Sequence, residues 1–315
     1  MNFAERIKQE ILSKNIKDKH CRQAFLAGII RGSGVLYEKD GELGVEFKAP
    51  DEQTAIAFTN SFKLLYNYDI REVSVSEDKL NKKDKFLLNV SGERAEEILT
   101  SLGVLEVTDD GELAVNLKMY GPITEKDCCL RAFIRGLFVS VGNLTVPTDN
   151  DDTSTGYHLD LTFSHYSTAL ETSEKLAEYG IITKITKRRE SYIVYIKSAE
   201  EIKDFIAFLP APVSVLKFTD VMIYRELNNI SNRQKNCDLG NVNRQIEASE
   251  KQIQAIKKIS KTIGLDTLKP DLRVTATARI ENPDETLTEL AERLNVSKSC
   301  LNHRLRKLVC IANEL

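Results

Sequence analysis

Near its C-terminal end, the sequence concentrates side chains that can hydrogen-bond to nucleic acid. Between Val296 and Leu308 it has four basic residues and no acidic residue, although the whole chain has a net charge of -3. If this stretch is helical, Leu301, Leu305 and Leu308 face inward. In a DNA major groove arginine binds guanine, asparagine binds adenine, and lysine and serine bind phosphates or base edges. The polar residues that we expect to contact DNA are Lys298, Ser299, Asn302, His303, Arg304, Arg306 and Lys307.

A helix-turn-helix would present this second helix to DNA. Pro283-Asp284-Glu285 is predicted to open the first helix, since proline and acids favour a first turn. Apolar residues then follow at spacings of three and four, and the small Ala291 permits a close crossing. Asn295-Val296-Ser297 is predicted to form the turn, with Ser297 as the N-cap of the second helix. The alternative is a structural helical hairpin whose basic face is only solvated.

One apolar segment occurs twice in the N-terminal two thirds of the chain. The first copy, residues 25–36, is FLAGIIRGSGVL, and the second, residues 133–144, is FIRGLFVSVGNL. Gly28 and Gly136 occupy the same place in the two copies, 108 positions apart. A glycine inside a helix costs roughly 0.5–1 kcal/mol relative to alanine. It is tolerated where a side chain would hold two backbones apart, so we expect the two helices to pack against each other at a pseudo-twofold axis.

The elements that follow each copy have the same order. The first copy is followed by a hairpin with Asp40-Gly41 at its turn, and both halves are typical of an αββαββα unit. The predicted fold class is α+β, a duplicated domain over residues 1–208 with repeats of about 1–118 and 119–208. A linker helix is predicted at 209–232, and a separate helix begins in the all-α helix-turn-helix domain at 233–315.

Four basic residues on the second predicted hairpin of the second repeat are candidates for DNA backbone contacts. They are Lys184, Lys187, Arg188 and Arg189. A solvated basic strand is the alternative for this hairpin.

The duplicated segment resembles the motif of the LAGLIDADG homing endonucleases, which Leu26–Gly34 matches position for position. In that family the eighth position is an acid that binds the Mg²⁺ used to cut DNA. Here that position is Ser33 in the first copy and Val141 in the second, and neither supplies the carboxylate that a hard cation prefers. The resemblance therefore implies the fold and argues against the reaction.

Acids elsewhere do not restore a catalytic centre. Those beside the hairpin turns are interpreted as solvated loop residues: Glu38, Asp40, Glu42, Asp149, Asp151 and Asp152. The sequence has neither a phosphate-binding glycine loop followed by Gly-Lys-Ser/Thr nor a Gly-x-Ser-x-Gly elbow. We expect no catalytic residues and no cofactor.

The cysteine pattern argues against metal and disulfide. The six cysteines have no Cys-x2-Cys pair and no zinc spacing with the four histidines. Adjacent Cys128 and Cys129 are interpreted as unsuited to a metal chelate, so we expect no metal site and reduced thiols in a cytoplasm. No stretch resembles a signal peptide or approaches the ~20 apolar residues of a membrane span, and no membrane partner is expected.

Three segments together resemble the WhiA family of bacterial regulators. They are CCLRAFIRGLFVSVGNL, NCDLGNVNRQ and SKSCLNHRLRKL, and the likeness covers essentially the whole chain. It implies a cytoplasmic, nucleoid-associated protein that binds specific double-stranded DNA. It also implies a role in sporulation in some actinobacteria, and in cell division and chromosome segregation in other Gram-positive bacteria. The alternative is a protein-interaction adaptor in division with weak DNA contact; the target site, the regulated genes and the oligomeric state stay open.

Overall fold

The computed structural model describes residues 2–70, 73–78, 83–119, 121–147 and 156–315. The acids Asp149, Asp151 and Asp152, interpreted above as loop residues, lie outside the described residues. The chain divides into two compact units, Met1–Met222 and Ile223–Leu315.

The first repeat contains a four-stranded antiparallel sheet with strand order β1-β2-β4-β3. Asp40 (φ 55°) and Gly41 (φ 80°) form the predicted hairpin turn, and Lys39 pairs with Glu42 across it. Positive φ at both turn residues matches the right-handed twist of the strands. The elements are α1 (Phe3–Ser13), α2 (Lys19–Ser33), β1 (Gly34–Lys39), β2 (Glu42–Ala49), α3 (Glu52–Tyr66), β3 (Val73–Asp78), β4 (Lys83–Val90) and α4 (Ala95–Ser101), followed by the small hairpin β5 (Leu105–Val107) and β6 (Leu113–Val115).

The second repeat has the same topology, with sheet order β7-β8-β10-β9. Its elements are α5 (Gly121–Thr124), α6 (Asp127–Val141), β7 (Gly142–Thr145), β8 (His158–Phe163), α7 (Tyr166–Ala177), β9 (Lys184–Arg188), β10 (Ser191–Ile196) and α8 (Ala199–Phe208). The predicted duplication of an αββαββα unit is therefore confirmed.

Helices α2 and α6 pack closely at their glycines. A Cβ atom on Gly28 would overlap the carbonyl oxygen of Phe133, and one on Gly136 would overlap the carbonyl oxygen of Phe25. These are the same contact made twice, because Phe25 and Phe133 also correspond in the repeat. The predicted crossing of the two central helices is confirmed.

Buried residues of each sheet share one hydrophobic core with the central helices and the outer helices. In the first repeat, Phe47 packs on Phe58 with ring centroids 5.3 Å apart, and Phe25 packs on Phe58 at 6.5 Å. In the second repeat, Phe138 of α6 packs on Phe205 of α8 at 5.8 Å. The alternating burial along β8, where His158, Asp160 and Thr162 are only half-buried, leaves its other face open to solvent.

The two helices predicted after residue 213 are one helix. Helix α9 runs without a break through Pro212–Thr262, so the predicted boundary between residues 232 and 233 falls inside it. Residues 228–240 include several that are typical of turns, but they do not end the helix. No proline interrupts it, and the helix propensities of single residues have only small effects. At its first turn the Glu10 carboxylate accepts hydrogen bonds from the Val213 and Ser214 amides, both at 2.8 Å. Burial acts to raise the pKa of Glu10, but a hydrogen bond from the Ser214 hydroxyl at 2.6 Å and those from the two amides outweigh it and lower the pKa below its usual value.

The C-terminal unit is helical throughout. After α9 come α10 (Pro270–Glu281), α11 (Leu287–Arg293) and α12 (Lys298–Glu314). Its core is apolar and includes Ile256, Ile259, Leu272, Ala276, Leu290, Leu301, Leu305 and Leu308. Within the described residues, no helix combines the length and hydropathy required to cross a bilayer.

Candidate nucleic-acid interface

Helix α11 begins four residues later than the sequence predicted. Pro283-Asp284-Glu285 precedes the helix, and Thr286 is the N-cap. The Thr286 hydroxyl accepts from the Glu289 amide at 3.3 Å, while the Glu289 carboxylate accepts from the Thr286 amide at 2.8 Å. This reciprocal capping box satisfies two amides that the helix itself cannot, which is why the helix begins at Leu287.

The segment that was predicted to open the helix instead connects α10 to α11. Arg279 is fully buried, and its guanidinium donates to the Glu285 carbonyl at 2.7 Å. The Glu285 carboxylate accepts two bonds from Arg293 Nε, both at 3.0 Å. Burial lowers the pKa of Arg279. Glu285 therefore ties the end of α10 to α11 through its backbone and its side chain.

Thr286→Ala is expected to loosen α11 without unfolding the protein. Removing an N-cap hydroxyl costs about 1 kcal/mol, so amides of α11 that exchange by local opening should exchange about fivefold faster. Hydrogen–deuterium exchange of peptides covering residues 287–294 measures this. Thr286→Ser keeps the oxygen and should exchange like the wild type; equal acceleration in both variants would contradict the capping role.

The turn between α11 and α12 has the geometry predicted for a helix-turn-helix. Asn295 is left-handed (φ 50°), the Val296 amide donates to the Ala291 carbonyl at 2.9 Å, and the Asn295 amide donates to the Glu292 carbonyl at 3.0 Å. These two bonds form a Schellman motif, with asparagine in the place usually taken by glycine. Ser297 caps α12 as predicted by accepting from the Cys300 amide at 3.2 Å.

Helix α12 buries its leucines and exposes a polar strip. Leu301, Leu305 and Leu308 are at most 1% exposed. At 3.6 residues per turn, four polar residues fall within an arc of about 100° on the opposite side. They are Ser299, Asn302, His303 and Arg306, called here the outer strip. Ser299, His303 and Arg306 are exposed and Asn302 is half-buried.

The other three predicted contact residues lie beside this strip. Exposed Lys298 and Lys307 flank it on either side. Arg304 lies on the flank next to α10, where its guanidinium is 3.5 Å from the Asp271 carboxylate and its side chain is 21% exposed. The structure therefore brings six of the seven residues to one surface and places Arg304 apart from them.

The basic hairpin of the second repeat does not form one surface. Lys184, Lys187, Arg188 and Arg189 are all exposed. Lys184 and Arg188 share the open face of the sheet, because they alternate with Ile185, which packs on the core. Lys187 has the opposite orientation and lies 5.6 Å from the ring of Tyr192, while Arg189 occupies the turn with φ 55°. Only Lys184 and Arg188 can therefore contact one ligand across that face.

Ser33 and Val141 lie at the C-terminal ends of α2 and α6. Both are partly exposed, and the Ser33 hydroxyl donates to the Ile29 carbonyl at 3.3 Å. The acids Glu38, Asp40 and Glu42 are exposed on the first hairpin. Because a hydroxyl and an isopropyl group supply no carboxylate, these two positions do not fit the divalent cation of the homing endonucleases.

A cluster that was not predicted from the sequence lies at the opposite ends of the same helices. His20, Cys21, Cys128 and Cys129 place one ligand atom each within 4.8 Å of one another. Sequence spacing concealed the cluster because each repeat contributes two adjacent residues. The repeat offset of 108 relates His20 to Cys128 and Cys21 to Cys129, and that correspondence is the signal that could have revealed it.

Family models match the chain in three consecutive segments. The WhiA N-terminal LAGLIDADG-like domain matches residues 19–105, and the WhiA LAGLIDADG-like domain matches residues 130–228. The WhiA C-terminal HTH domain matches residues 231–312. The last segment covers α10, α11 and all but the last two residues of α12.

Relatives match over the full length. The probable cell division protein WhiA of Macrococcus caseolyticus is 33% identical, covering 100% of this chain and 97% of its own length. The probable cell division protein WhiA of Lachnoclostridium phytofermentans is 32% identical, covering 100% of this chain and 99% of its own length. The crystal structure of full-length DUF199/WhiA from Thermatoga maritima has a TM-score of 0.59 at 23% sequence identity. The match covers 100% of this chain and 99% of that one, and at this identity it supports the fold alone. On these full-length similarities, the chain belongs to the WhiA family.

Proposed function

We propose that the protein is a sequence-specific DNA-binding regulator that acts in bacterial cell division, chromosome segregation and, in some lineages, sporulation. The observation that supports this most directly is the outer strip of α12, which is held outward by three buried leucines. The name of the relatives, probable cell division protein, supports the cellular role.

In this proposal α12 lies in the major groove with its N-terminal end toward the bases. Arg306 donates to guanine and Asn302 pairs with adenine, while Ser299 and His303 contact neighbouring base edges. Lys298 and Lys307 lie beside the strip, where they neutralise phosphates on the two sides of the groove. Arg304 helps to hold α12 against α10 through its ion pair with Asp271, and it does not contact a base.

The duplicated domain has no cleavage role in this proposal. Phosphodiester cleavage by this fold needs acids that converge on divalent cations. Ser33 and Val141 replace those acids, so the central helices have a structural role. The open face of the second sheet supplies Lys184 and Arg188 for additional backbone contacts.

A protein-partner role is the second candidate, and one feature of α9 favours it. Leu239, Val242 and Ile246 share a helix face and are 61%, 49% and 52% exposed. Apolar side chains grouped on an exposed helix are a common feature of protein interfaces. An adaptor of this kind would not need base contacts from α12.

Selection from sheared genomic DNA separates the two candidates. The purified full-length protein is incubated with the fragments at about physiological salt, and bound DNA is sequenced, with Asn302→Ala/Arg306→Ala in parallel. The regulator proposal predicts that the wild type enriches one short motif and that the double variant does not. If the wild type enriches no motif, the regulator proposal is wrong and the adaptor becomes the better account.

A further inference from the structure

Two residues from each repeat meet where the central helices begin. His20 and Cys21 are the second and third residues of α2, and Cys128 and Cys129 are the second and third residues of α6. The two helices run side by side in the same direction, so these four side chains lie together near the pseudo-twofold axis. The cluster lies about 20 Å from the Ser33 and Val141 end, as 13 residues of α-helix require.

The distances within the cluster are close to those of a tetrahedral metal site. His20 Nδ1 is 3.1 Å from Cys129 Sγ and 3.3 Å from Cys21 Sγ, and all four ligand atoms lie within 4.8 Å of one another. With Zn–S bonds of about 2.3 Å and Zn–N bonds of about 2.0 Å, ligand atoms of a zinc tetrahedron are separated by about 3.5–3.8 Å. Shifts of less than about 1 Å in the four ligand atoms would therefore give the separations of a tetrahedral zinc site.

The ligand types select zinc. Three cysteines and one histidine form a set found in structural zinc sites, and soft thiolates exclude magnesium and calcium. A disulfide would use only two of the three sulfurs and would leave the imidazole unexplained. Cys21 and Cys129 are buried, while His20 and Cys128 are exposed, so an ion can enter from solvent.

The local electrostatics suit thiolates bound to a cation. Neither Asp18 nor Lys126, the N-cap residues of the two helices, makes a side-chain cap, and free amides at a helix N-terminus stabilise thiolates. Metal binding would form three Zn–S bonds and one Zn–N bond and would release the three thiol protons to water.

We propose that His20, Cys21, Cys128 and Cys129 bind one Zn²⁺ that cross-links the first turns of the two central helices. The site is structural, because all four positions of the tetrahedron are filled by the protein. It goes beyond the proposed function and does not depend on DNA binding.

The test compares the reduced full-length protein with two double variants, each of which changes one histidine and one cysteine. His20→Ala/Cys128→Ser removes the two exposed ligands and leaves the buried packing intact. His303→Ala/Cys310→Ser is the control, since both residues are exposed on α12. Each protein is stripped with a chelator, reloaded with zinc, and analysed for bound metal; Co²⁺ is then substituted and its absorption spectrum recorded.

The proposal predicts about one zinc per chain for the wild type and the control, with affinity in the ligand variant at least about 100-fold weaker. Cobalt should give thiolate charge-transfer bands and the visible bands of a tetrahedral site. Zinc should raise the unfolding midpoint of the wild type and not of the ligand variant. The proposal is overturned if the wild type binds no more zinc than the ligand variant, if the cobalt spectrum lacks thiolate bands, or if the reloaded protein contains a Cys21–Cys129 disulfide.

Discussion

Gly28→Ala is expected to destabilise the N-terminal unit by about 3 kcal/mol, at the upper end of the usual cost of overpacking. The new methyl group would overlap the Phe133 carbonyl oxygen and would lie 3.1 Å from the Leu137 amide nitrogen. Both are backbone atoms of α6, so no side-chain rotation relieves the overlap and the two central helices must separate. Gly136→Ala should have a similar effect, because its methyl group would overlap the Phe25 carbonyl oxygen.

Thermal unfolding followed by far-ultraviolet circular dichroism measures this, since the chain has no tryptophan to report by fluorescence. A loss of about 3 kcal/mol corresponds to a decrease of about 6–12 °C in the midpoint for a unit of this size. Gly240→Ala is the matched control, because the nearest side-chain atom to its methyl group would be 4.0 Å away, on Arg244. There, alanine should be neutral or stabilising by up to about 1 kcal/mol. Equal midpoints for Gly28→Ala and Gly240→Ala would show that the helices do not cross at this glycine.

The parts of the fold that local patterns determine could be predicted from the sequence. The hairpin at Asp40-Gly41, the cap at Ser297 and the turn at Asn295 each depend on a few neighbouring residues. The crossing at Gly28 and Gly136 is a long-range contact, but the repeat made it predictable. A glycine that is retained at the same place in two copies of a helix indicates a shared packing constraint.

Features that depend on competition between neighbours could not be predicted. Pro283 favours a helix start, yet the capping box of Thr286 and Glu289 determines where α11 begins. The chain from 228 to 240 contains several residues typical of turns, yet it continues α9. In both cases the local propensity is small compared with the hydrogen bonds of the structure that forms.

The candidate sites show the same division. The outer strip of α12 follows from helical periodicity once the leucines are placed inside. The position of Arg304 depends on where α10 lies, and the helical periodicity of α12 cannot predict the position of another helix. The cluster of His20 and the cysteines was excluded by a spacing rule that applies to ligands within one segment, whereas here the ligands come from two repeats.

Asn302→Ala/Arg306→Ala is expected to lower the affinity for the selected DNA motif by about 100-fold or more. A bidentate contact to a base contributes about 1–3 kcal/mol of discrimination, and this variant removes two. Binding to unrelated DNA should weaken only severalfold, because that binding depends on phosphate neutralisation and the variant loses a single charge. Neither side chain belongs to the hydrophobic core of the C-terminal unit, so the fold should be unaffected.

Asn241→Ala/Arg244→Ala is the matched control for this variant. It removes the same two residue types and the same charge from another exposed helical segment, where Arg244 Nη1 donates to the Asn241 side-chain oxygen at 3.2 Å. We expect this control to bind the motif like the wild type. A similar loss in both variants would indicate a general effect of charge on DNA binding.

The most direct test of base contact by α12 is a fluorescence anisotropy titration of two duplexes, one with the selected motif and one with the same bases shuffled, at one fixed salt concentration. The quantity of interest is the ratio of the two dissociation constants. We expect a large ratio for the wild type and for Asn241→Ala/Arg244→Ala, and a ratio close to one for Asn302→Ala/Arg306→Ala. A double variant that still prefers the motif as strongly as the wild type would contradict base recognition by the outer strip.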